Sequence, residues 1–289
     1  MKRYLLLLAA CLLVIVGCHR QKQSGTFQYT DDYGTSVSVP QSPQRIVSMS
    51  PAVTEIIFAL GAEDLLVGRT DFCSYPPQVS EIESMGGISN LNIEKILSVN
   101  PDLVISGSMI PQKSVQHLAN MGVPMVCVIE KNSFDSLYSN IQKIGQLVNH
   151  SLAADSLVTL LQQRMASLDT LPLPYRPSVY YLVGFGAGGN FTAGGDTFIN
   201  DIITMAGGEN IASDVKGWNY SLEALMEKDP DFVIVRREDS ALFSQTKPYN
   251  QLSAVKKHHV IGIESGTIDL QVPRNIDCIL TLRKIFSER

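Results

Sequence analysis

Short apolar runs alternate along the chain with longer stretches in which apolar residues recur every three or four positions. The short runs are typical of buried strands, and the longer stretches are typical of helices with one apolar face. Residues 26–42 instead alternate singly between apolar and polar around Asp32-Tyr33-Gly34, which predicts a small hairpin. Beyond it the predicted strands are 45–49, 65–68, 103–106, 124–129, 178–183, 232–235 and 259–263, and the predicted helices are 54–60, 93–97, 114–121, 133–149, 151–171, 197–205, 222–226 and 275–286. Because strands alternate with helices, we expect an α/β fold with mostly parallel sheets.

The stretch Ser151–Leu171 is predicted to form one long helix. Ser151 is of a residue type that caps helices, and Pro172 cannot continue one. A helix of this length is about 28 Å long, roughly the width of a small domain. Since it lies just past the middle of the chain, we interpret it as a rigid connection between two halves. Its apolar positions are Leu152, Leu157, Leu160, Leu161, Met165 and Leu168.

The two halves on either side of this helix are similar to each other. Glu94 and Glu223 are 129 positions apart, as are Asp102 and Asp231, so that ILSVNPDLVIS and LMEKDPDFVIV align without a gap. This match predicts two Rossmann-like lobes joined by one long helix, with a ligand cleft between them. The expected organisation is a signal peptide at 1–17, a tether and small hairpin at 18–42, an N-terminal lobe at 43–150, the bridging helix at 151–171 and a C-terminal lobe at 172–289.

The N-terminus has the pattern of an export signal. Lys2 and Arg3 precede the apolar run Tyr4–Val16, which is too short for a comfortable membrane span. The sequence Ile-Val-Gly-Cys that ends at Cys18 resembles the bacterial lipobox, in which the cysteine becomes the lipidated first residue. We therefore expect an exported protein that is lipid-anchored at Cys18 and faces the periplasm. The alternative is a plain signal peptide followed by an incidental cysteine.

The net charge and the cysteine content indicate which partners and which disulfides to expect. Removing residues 1–17 leaves 21 basic and 28 acidic side chains, a net charge of −7, which argues against nucleic acid or an anionic membrane as the main partner. Besides Cys18, three cysteines remain, and their odd number without CxxC spacing predicts no disulfide framework. Cys127 and Cys278 lie in apolar runs and are expected to be buried, whereas Cys73 lies in a polar loop.

Loops that follow the carboxyl ends of parallel strands are the expected ligand-binding elements. They are predicted at 49–52, 69–77, 85–90 and 106–108 in the first lobe and at 184–195, 216–220, 236–238 and 264–273 in the second. Aromatic rings beside hydroxyl and amide groups suit a large planar ligand that is partly apolar. The alternative is that half of these rings pack only against their own loops. The rings concerned are Phe72, Tyr75, Phe185, Phe191, Tyr220 and the only tryptophan, Trp218.

Motifs for chemistry are weak. Gly184, Gly186 and Gly189 satisfy the GxGxxG pattern, but a nucleotide site also needs a helix to begin there, and the next residues are predicted as loop. The histidines are too scattered to give two or three imidazoles to one ion, so that no metal site is expected. No nucleophile elbow or Ser-His-acid set is recognisable. The residues favour binding over catalysis, and we expect no enzyme activity.

Five segments resemble one known family: RIVSMSPAVTE at 45–55, YPP at 75–77, NIE at 92–94, NPDLVI at 100–105 and GGENI at 207–211. They are similar to the helical-backbone substrate-binding proteins of ABC importers for cobalamin, haem and iron–siderophores, over about residues 43–289. The resemblance implies two α/β lobes bridged by one helix, and docking on a permease through one glutamate per lobe. The matching positions are Glu94 and Glu223. The alternative role for each is that of an acid favoured by the helix dipole in a first turn.

The resemblance is closest to the cobalamin-binding members, which implies a corrinoid as transported ligand and no cofactor. Their loop tyrosine aligns with Phe72, and their second-lobe tryptophan aligns with Trp218 when one residue is gapped. Their charged pair in the last loop falls near Gly266 and Leu270, so that only Asp269 could replace it. The expected ligand-binding residues are Ser50, Pro51, Phe72, Tyr75, Phe191, Trp218 and Asp269.

Other ligands of the family stay open, because Ile88 stands where the cobalamin binders have a first-lobe tryptophan. Haem binders usually supply a Tyr or His ligand from the first lobe, a role for which Tyr75 is available. Anionic siderophores need clustered arginines, and the candidates are Arg69, Arg236, Arg237 and Arg274. The leading hypothesis is a monomeric lipoprotein that captures cobalamin or a related corrinoid and delivers it to a permease dimer with its ATPase. The alternative is a haem or iron–siderophore binder, and a remote one is an exported nucleotide-using enzyme.

Overall fold

Two four-stranded sheets flanked by helices make up most of the chain. The computed structural model describes residues 25–88, 91–107, 110–170, 173–186 and 188–288. The strands are β1 (Thr26–Thr30), β2 (Ser36–Pro40), β3 (Ile46–Met49), β4 (Leu66–Gly68), β5 (Leu103–Ser106), β6 (Met125–Cys127), β7 (Ser178–Tyr181), β8 (Glu209–Asn210), β9 (Phe232–Arg236) and β10 (Val260–Ile263). The α-helices are α1 (Pro51–Ala59), α2 (Ile93–Ser98), α3 (Gln112–Asn120), α4 (Phe134–Leu147), α5 (Ser151–Ala166), α6 (Phe198–Met205), α7 (Leu222–Lys228), α8 (Ser240–Gln245), α9 (Ser253–Lys256) and α10 (Asn275–Ser287). The sequence pattern did not predict the short elements β8, α8 and α9.

The two sheets have the same strand order. In the first sheet the order is β4-β3-β5-β6 and in the second it is β8-β7-β9-β10, so that each reads second, first, third and fourth strand. The ladders within both sheets are parallel. This confirms the α/β class with two parallel sheets. We call the part of the chain around the first sheet lobe 1 and the part around the second sheet lobe 2.

Matching backbone features recur at the spacing of 129 residues. Asn100 and Asp229 both have a positive φ, 46° and 39°, just after a helix and before the Pro-Asp pair. The Asp102 carboxylate accepts hydrogen bonds from two backbone N–H groups just before β3, at 2.7 and 3.0 Å. The Asp231 carboxylate accepts one from the Ser178 N–H at the start of β7, at 2.8 Å. In each lobe, therefore, the same aspartate fixes the chain where it enters the first strand of the sheet.

The predicted hairpin is confirmed and packs on lobe 1. β1 and β2 pair antiparallel, with Thr26 opposite Pro40. Asp32, in the turn, accepts a hydrogen bond from the Ile129 N–H at 2.8 Å and forms an ion pair with Lys143. The hairpin is therefore held by the end of β6 and by α4.

The first helix of lobe 1 begins earlier than predicted. β3 ends at Met49 and α1 begins at Pro51, so that the predicted loop 49–52 is reduced to Ser50. The Ser50 hydroxyl caps the helix by accepting a hydrogen bond from the Val53 N–H at 3.4 Å. Proline suits the first helical position because the N–H that it lacks is not needed there. Pro51, interpreted from sequence as a loop residue, is therefore a helix start.

The helix between the lobes is shorter than predicted. α5 ends at Ala166 and continues as a 3₁₀ turn over Ser167–Thr170, while Leu171 and Pro172 lie outside the described residues. The predicted cap is wrong, because His150 precedes the helix without capping it through its side chain and Ser151 is the first helical residue.

The predicted apolar stripe is confirmed in part, since Leu161 and Leu168 are buried and Leu157 and Met165 pack against the core, whereas Leu152 and Leu160 are exposed. The buried residues of α5 are Ala154, Val158 and Leu161, whereas Leu152 is 85% exposed. The helix contacts α4 of lobe 1 and α10 of lobe 2. A Cβ atom at Gly145 of α4 would overlap the methyl group of Ala154, so that glycine permits the close approach of the two helices. The smaller residue therefore faces the neighbour, and the leucine faces solvent.

One hydrophobic cluster extends through both lobes. It includes Ile46 and Leu103 of the first sheet, Val158 of α5, and Val179 and Phe232 of the second sheet. Each lobe also has a smaller cluster of its own. The lobes are therefore joined by shared packing as well as by α5.

Candidate functional site

The loops at the carboxyl ends of the two sheets contact each other. Lys131, after β6, accepts a hydrogen bond at its carbonyl from the side-chain amide of Gln271, after β10. The side-chain amide of Asn132 donates to the carbonyl of Asp196, in the segment between β7 and α6, at 3.0 Å. Because the ligand loops of both sheets meet here, the space between the lobes is the candidate ligand cleft.

A buried ion pair fastens the lobes at another point. Arg274 at the start of α10 donates to both carboxylate oxygens of Glu55 in α1, at 2.7 and 2.8 Å. The two side chains are only 12% and 5% exposed. Burial raises the pKa of the Glu55 carboxyl, and the hydrogen bonds from Arg274 oppose this rise only in part. The paired geometry satisfies both charges, as a buried ion pair requires.

The ring of Tyr75 packs against the arginine of this ion pair. The Arg274 guanidinium lies over its ring, 4.2 Å from the centroid. Tyr75 also lines a cavity of about 450 Å³ beside the bridging helix, together with Phe58, Leu161 and Pro273. One face of the ring is therefore already covered.

Phe72 and Trp218 are the most exposed of the predicted ligand rings. Phe72 in lobe 1 is 62% exposed and Trp218 in lobe 2 is 48% exposed. Each ring keeps a large apolar surface that a flat and partly apolar ligand could cover. Their loops follow the carboxyl ends of β4 and β8. They are the rings of the predicted set that are most available to a ligand.

Phe191 packs largely within its own loop. It forms an antiparallel bridge with Gly184 and another with Asn219. A Cβ atom at Gly189 would lie 3.1 Å from its ring. Its placement corresponds to the alternative that some of the rings stabilise their own loops.

Ser50 lies between β3 and α1, next to the segments that follow β5 and β6. A Cβ atom at Gly107 would lie 3.3 Å from Ser50 Oγ and 3.8 Å from Glu130 Oε1. Ser50 is buried and its hydroxyl is occupied by the helix cap, while Pro51 is partly exposed. These two residues thus form the start of α1 at the carboxyl end of β3.

Glu130 is a functional candidate that the sequence analysis missed. It follows β6, the one strand of lobe 1 whose carboxyl-end loop was not predicted as part of the site. Burial raises the pKa of its carboxyl, opposed in part by a hydrogen bond from the Gln271 backbone N–H. Its position directly after a buried apolar run was the available signal.

Asp269 has an arginine partner that the sequence did not reveal. Its carboxylate accepts a hydrogen bond from the Tyr181 hydroxyl, and Arg236 Nη2 lies 3.4 Å away. Burial, and after it the charge of Asp269, raises the pKa of Tyr181 far above its ordinary value, so that the hydroxyl stays protonated and donates. Tyr181 is the last residue of β7 and Arg236 is the last residue of β9. The ion pair between Asp269 and Arg236 remains partly open to solvent. It offers both an acceptor and a donor to the cleft.

The arginines considered for an anionic ligand are mostly engaged. Arg69 donates to three backbone carbonyls, at 2.8, 2.9 and 3.1 Å. Arg236 is paired with Asp269, and Arg274 is paired with Glu55. Arg237 lies exposed in a 3₁₀ turn after β9. The four do not form an open cluster.

Glu94 and Glu223 occupy equivalent places on the two lobes. Each is exposed and is the second residue of a short helix that follows the second strand of its sheet. Asn92 caps the first helix and Ser221 caps the second, each by accepting a hydrogen bond of 3.0 Å from the backbone N–H three residues on. The sequence match therefore corresponds to the same local structure.

The other candidate chemistries gain no support. The thiols of Cys73, Cys127 and Cys278 are buried, which confirms the prediction for the last two and places Cys73 between the hydroxyls of Thr54 and Thr70. After the GxGxxG segment the next helix begins only at α6. Within the described ranges, no three metal-ligating side chains come together and no helix is long and apolar enough to cross a membrane. Cys18 lies outside those ranges.

Two parallel α/β lobes of equal topology, with the carboxyl-end loops of both in contact, define a two-lobed substrate-binding protein. The family model described as "Periplasmic binding protein" matches residues 46–267, and the chain belongs to this family. It is therefore a substrate-binding protein of an ABC importer, and the family implies an exported protein.

Similar proteins carry several names. An uncharacterized ABC transporter substrate-binding lipoprotein of Bacillus subtilis, YvrC, is 29% identical over 292 residues, covering 94% of this chain and 92% of that protein. A cobalamin-binding protein of Halobacterium salinarum is 28% identical over 272 residues, covering 89% of this chain and 73% of that protein. Among solved structures, the periplasmic heme-binding protein RhuT of Roseiflexus in apo form has a TM-score of 0.74 at 25% identity, covering 85% and 98%. The relatives thus share the class and differ in ligand.

Proposed function

We propose that this protein captures cobalamin or a related corrinoid in the cleft between its lobes and delivers it to the permease of an ABC importer. The observation that carries the proposal is that exposed aromatic rings stand on both lobes, while three of the four candidate arginines, Arg69, Arg236 and Arg274, are already engaged. Phe72 and Trp218 provide flat apolar surface from opposite lobes. A corrin ring is large, flat and partly apolar, and suits such rings.

The polar groups of the cleft fit an uncharged ligand rim better than an anionic one. The rim of a corrinoid carries primary amides, each of which has both N–H donors and a carbonyl acceptor. Asp269 can accept from such an amide and Arg236 can donate to it, while each partly neutralises the other. A haem or a ferric siderophore instead presents carboxylates or other anions, for which unpaired arginines are the best partners.

The names of the relatives are consistent with either a corrinoid or a haem as ligand, and the residues of this chain favour the corrinoid. The Halobacterium relative is named for cobalamin and the Roseiflexus structure for haem. The lobe 1 residue considered as an iron ligand, Tyr75, has one ring face covered by Arg274. This contact is with the ring face and not with the hydroxyl oxygen that would bind iron, so the preference for a corrinoid rests on the exposed rings of both lobes.

Calorimetric titration of protein lacking residues 1–18 tests the ligand. Cobalamin or cobinamide should bind with roughly micromolar or tighter affinity. Phe72→Ala and Trp218→Ala should each weaken binding about tenfold, the usual effect of truncating an aromatic anchor. Tyr33→Ala, which removes an exposed ring on the hairpin, is the matched control and should bind normally. Heat with haemin and none with either corrinoid would assign the cleft to haem.

A spectrum of the protein purified from its host provides an independent test. Corrinoids, haems and ferric siderophores have different absorption bands, so that the co-purified molecule identifies itself. A corrinoid band is the expected result.

Docking and anchoring complete the proposal. The exposed and equivalent Glu94 and Glu223 support a role as the two contacts with the permease dimer. The lipobox pattern supports a lipid anchor on Cys18, with the protein acting as a monomer facing the periplasm. Cys18→Ser should therefore prevent incorporation of a labelled fatty acid, and retained labelling would contradict the anchor.

A further inference from the structure

The loop that carries Trp218 is held by one segment of lobe 2. The Gly217 N–H donates to the Asp196 carboxylate at 2.8 Å. The Gly217 carbonyl accepts from the Gly194 N–H at 2.8 Å, and the Val215 carbonyl accepts from the Gly195 N–H at 2.9 Å. The Thr192 N–H also donates to the Trp218 carbonyl at 2.8 Å, and the Tyr220 N–H donates to the Asn190 carbonyl at 3.1 Å. The loop therefore lies along residues 190–196, with Asp196 supplying the one side-chain bond among these contacts.

Close backbone contact makes this arrangement specific. A Cβ atom at Gly194 would overlap the Val215 carbonyl, and one at Gly195 would overlap the Ser213 carbonyl. Gly217 has a φ of 79°, a conformation that glycine adopts freely and that turns its N–H toward Asp196. The two segments thus fit each other without room for side chains between them.

The same segment is tied to the other lobe. Asn132 of lobe 1 donates to the Asp196 carbonyl at 3.0 Å. Two residues further along each chain segment, the rings of Phe134 and Phe198 lie 4.7 Å apart. Asp196 therefore contacts the Trp218 loop through its carboxylate and lobe 1 through its carbonyl.

We propose that Asp196 is a positioning residue, which orients the Trp218 ring of lobe 2 and, through Asn132, sets it relative to lobe 1. The importance of this ring for ligand binding rests on the proposed function. The orientation of the ring does not, since it depends only on contacts within the protein. A carboxylate that accepts from a backbone N–H makes a stronger bond than a neutral acceptor, and this strength suits a loop that must hold an exposed ring.

The fluorescence of Trp218 tests the proposal without any ligand. Trp218 is the only tryptophan, so that emission maximum, acrylamide quenching and anisotropy decay report on this loop alone. Asp196→Ala should raise the population of a state in which the Trp218 loop is detached from this segment about fivefold, which is the effect of losing one such hydrogen bond. Quenching should rise and the local anisotropy should decay faster. Asn132→Ala should change the same signals in the same direction, although it lies in the other lobe.

Two variants separate positioning from general effects. Asp196→Asn keeps an oxygen that can accept from Gly217 and should restore most of the wild-type signal. Asp214→Ala removes an exposed carboxylate from the same part of lobe 2, where it pairs with Lys228 at 3.5 Å, and should leave the signal unchanged. Circular dichroism of each variant verifies folding. If Asp196→Ala does not fold, the fluorescence of Asp196→Asn and Asn132→Ala still tests whether these contacts position the Trp218 ring.

The outcomes are distinct from those of the ligand test. Wild-type quenching in Asp196→Ala, or an equal change in Asp214→Ala, would overturn the positioning role. With a corrinoid, Asp196→Ala should bind about fivefold more weakly and Asp196→Asn nearly normally. Failure of every variant and of the wild type to bind corrinoids would contradict the proposed function, while the ligand-free fluorescence would still decide the role of Asp196.

Discussion

Breaking the buried ion pair between Glu55 and Arg274 by one substitution should lower the stability of the protein strongly, because it leaves one charge buried without its partner. Glu55→Gln keeps the size of the side chain and removes its charge. The Arg274 guanidinium then stays buried with the carboxylate of Glu264 at 3.8 Å, and that group is itself exposed. The variant thus replaces a satisfied pair by a buried cation with one distant charged partner, while the Thr267 hydroxyl still accepts a hydrogen bond from Arg274.

The expected loss follows from the burial of the pair. Removing one partner of a buried ion pair typically costs about 3–5 kcal/mol, because the remaining charge is uncompensated. Arg274 keeps the ring of Tyr75 below it and Glu264 at a distance, so that we expect the lower limit, about 3 kcal/mol. For a chain of this size, that corresponds to a fall in Tm of about 6–12 °C.

Urea denaturation followed by circular dichroism and by Trp218 fluorescence measures the loss. Glu288→Gln is the matched control, since it removes a carboxylate from the exposed i,i+4 pair with Lys284. That variant should change the free energy of unfolding by no more than about 0.5 kcal/mol.

A loss of less than about 1 kcal/mol in Glu55→Gln would refute the reasoning, because it would mean that water or Glu264 compensates the buried cation. The double variant Glu55→Gln with Arg274→Met provides a second check. It should recover part of the loss, since no charge is then left buried. Equal losses in the single and double variants would point to lost packing instead of charge.

Three further outcomes are expected. Glu130→Gln should raise stability at neutral pH, because burial raises the pKa of Glu130 and its ionised form is disfavoured. Because the pKa of Glu130 is raised in the folded state, the wild type loses stability as the pH rises through that pKa. In denaturation curves, the stability advantage of Glu130→Gln should therefore grow from about pH 4 upward. A stability difference that does not change with pH would contradict this role of Glu130. Glu94→Ala combined with Glu223→Ala should spare corrinoid binding and abolish permease-dependent uptake, whereas Glu227→Ala, on the same helix as Glu223, should transport normally. Undiminished uptake in the double variant would remove the docking role. Scattering profiles with and without ligand should nearly superimpose, since the shared core resists hinge closure, and a wide closure would disprove it.

Local sequence signals predicted the architecture well. Apolar runs and helical periodicity placed most strands and helices, and the spacing of 129 residues predicted two similar lobes, whose sheets have the same strand order. The reason is that these features depend on neighbours a few residues away, or on a repeat that can be counted. Even the paired positive φ values of Asn100 and Asp229 follow from the repeat.

Contacts between distant segments could not be predicted in the same way. Glu55 and Arg274 are 219 positions apart, and nothing near either residue indicates the other. The partnership of Asp269 with Arg236 likewise depends on which strands lie side by side. The exposure of Leu152 on α5, where Ala154 is buried instead, has a related reason. Leucine and alanine both occur there at helical spacing, and the close approach at Gly145 decides which is buried.

The core that runs through both lobes has a consequence for the halves as modules. Ile46 and Phe232, from opposite sheets, belong to the same apolar cluster as Val158 of the bridging helix. A chain cut near residue 150 would leave each fragment with an uncovered apolar surface, and such surfaces cause aggregation. We therefore expect the two similar halves to fold as one unit. A chimaera should need both halves from one protein, or a redesigned packing between them.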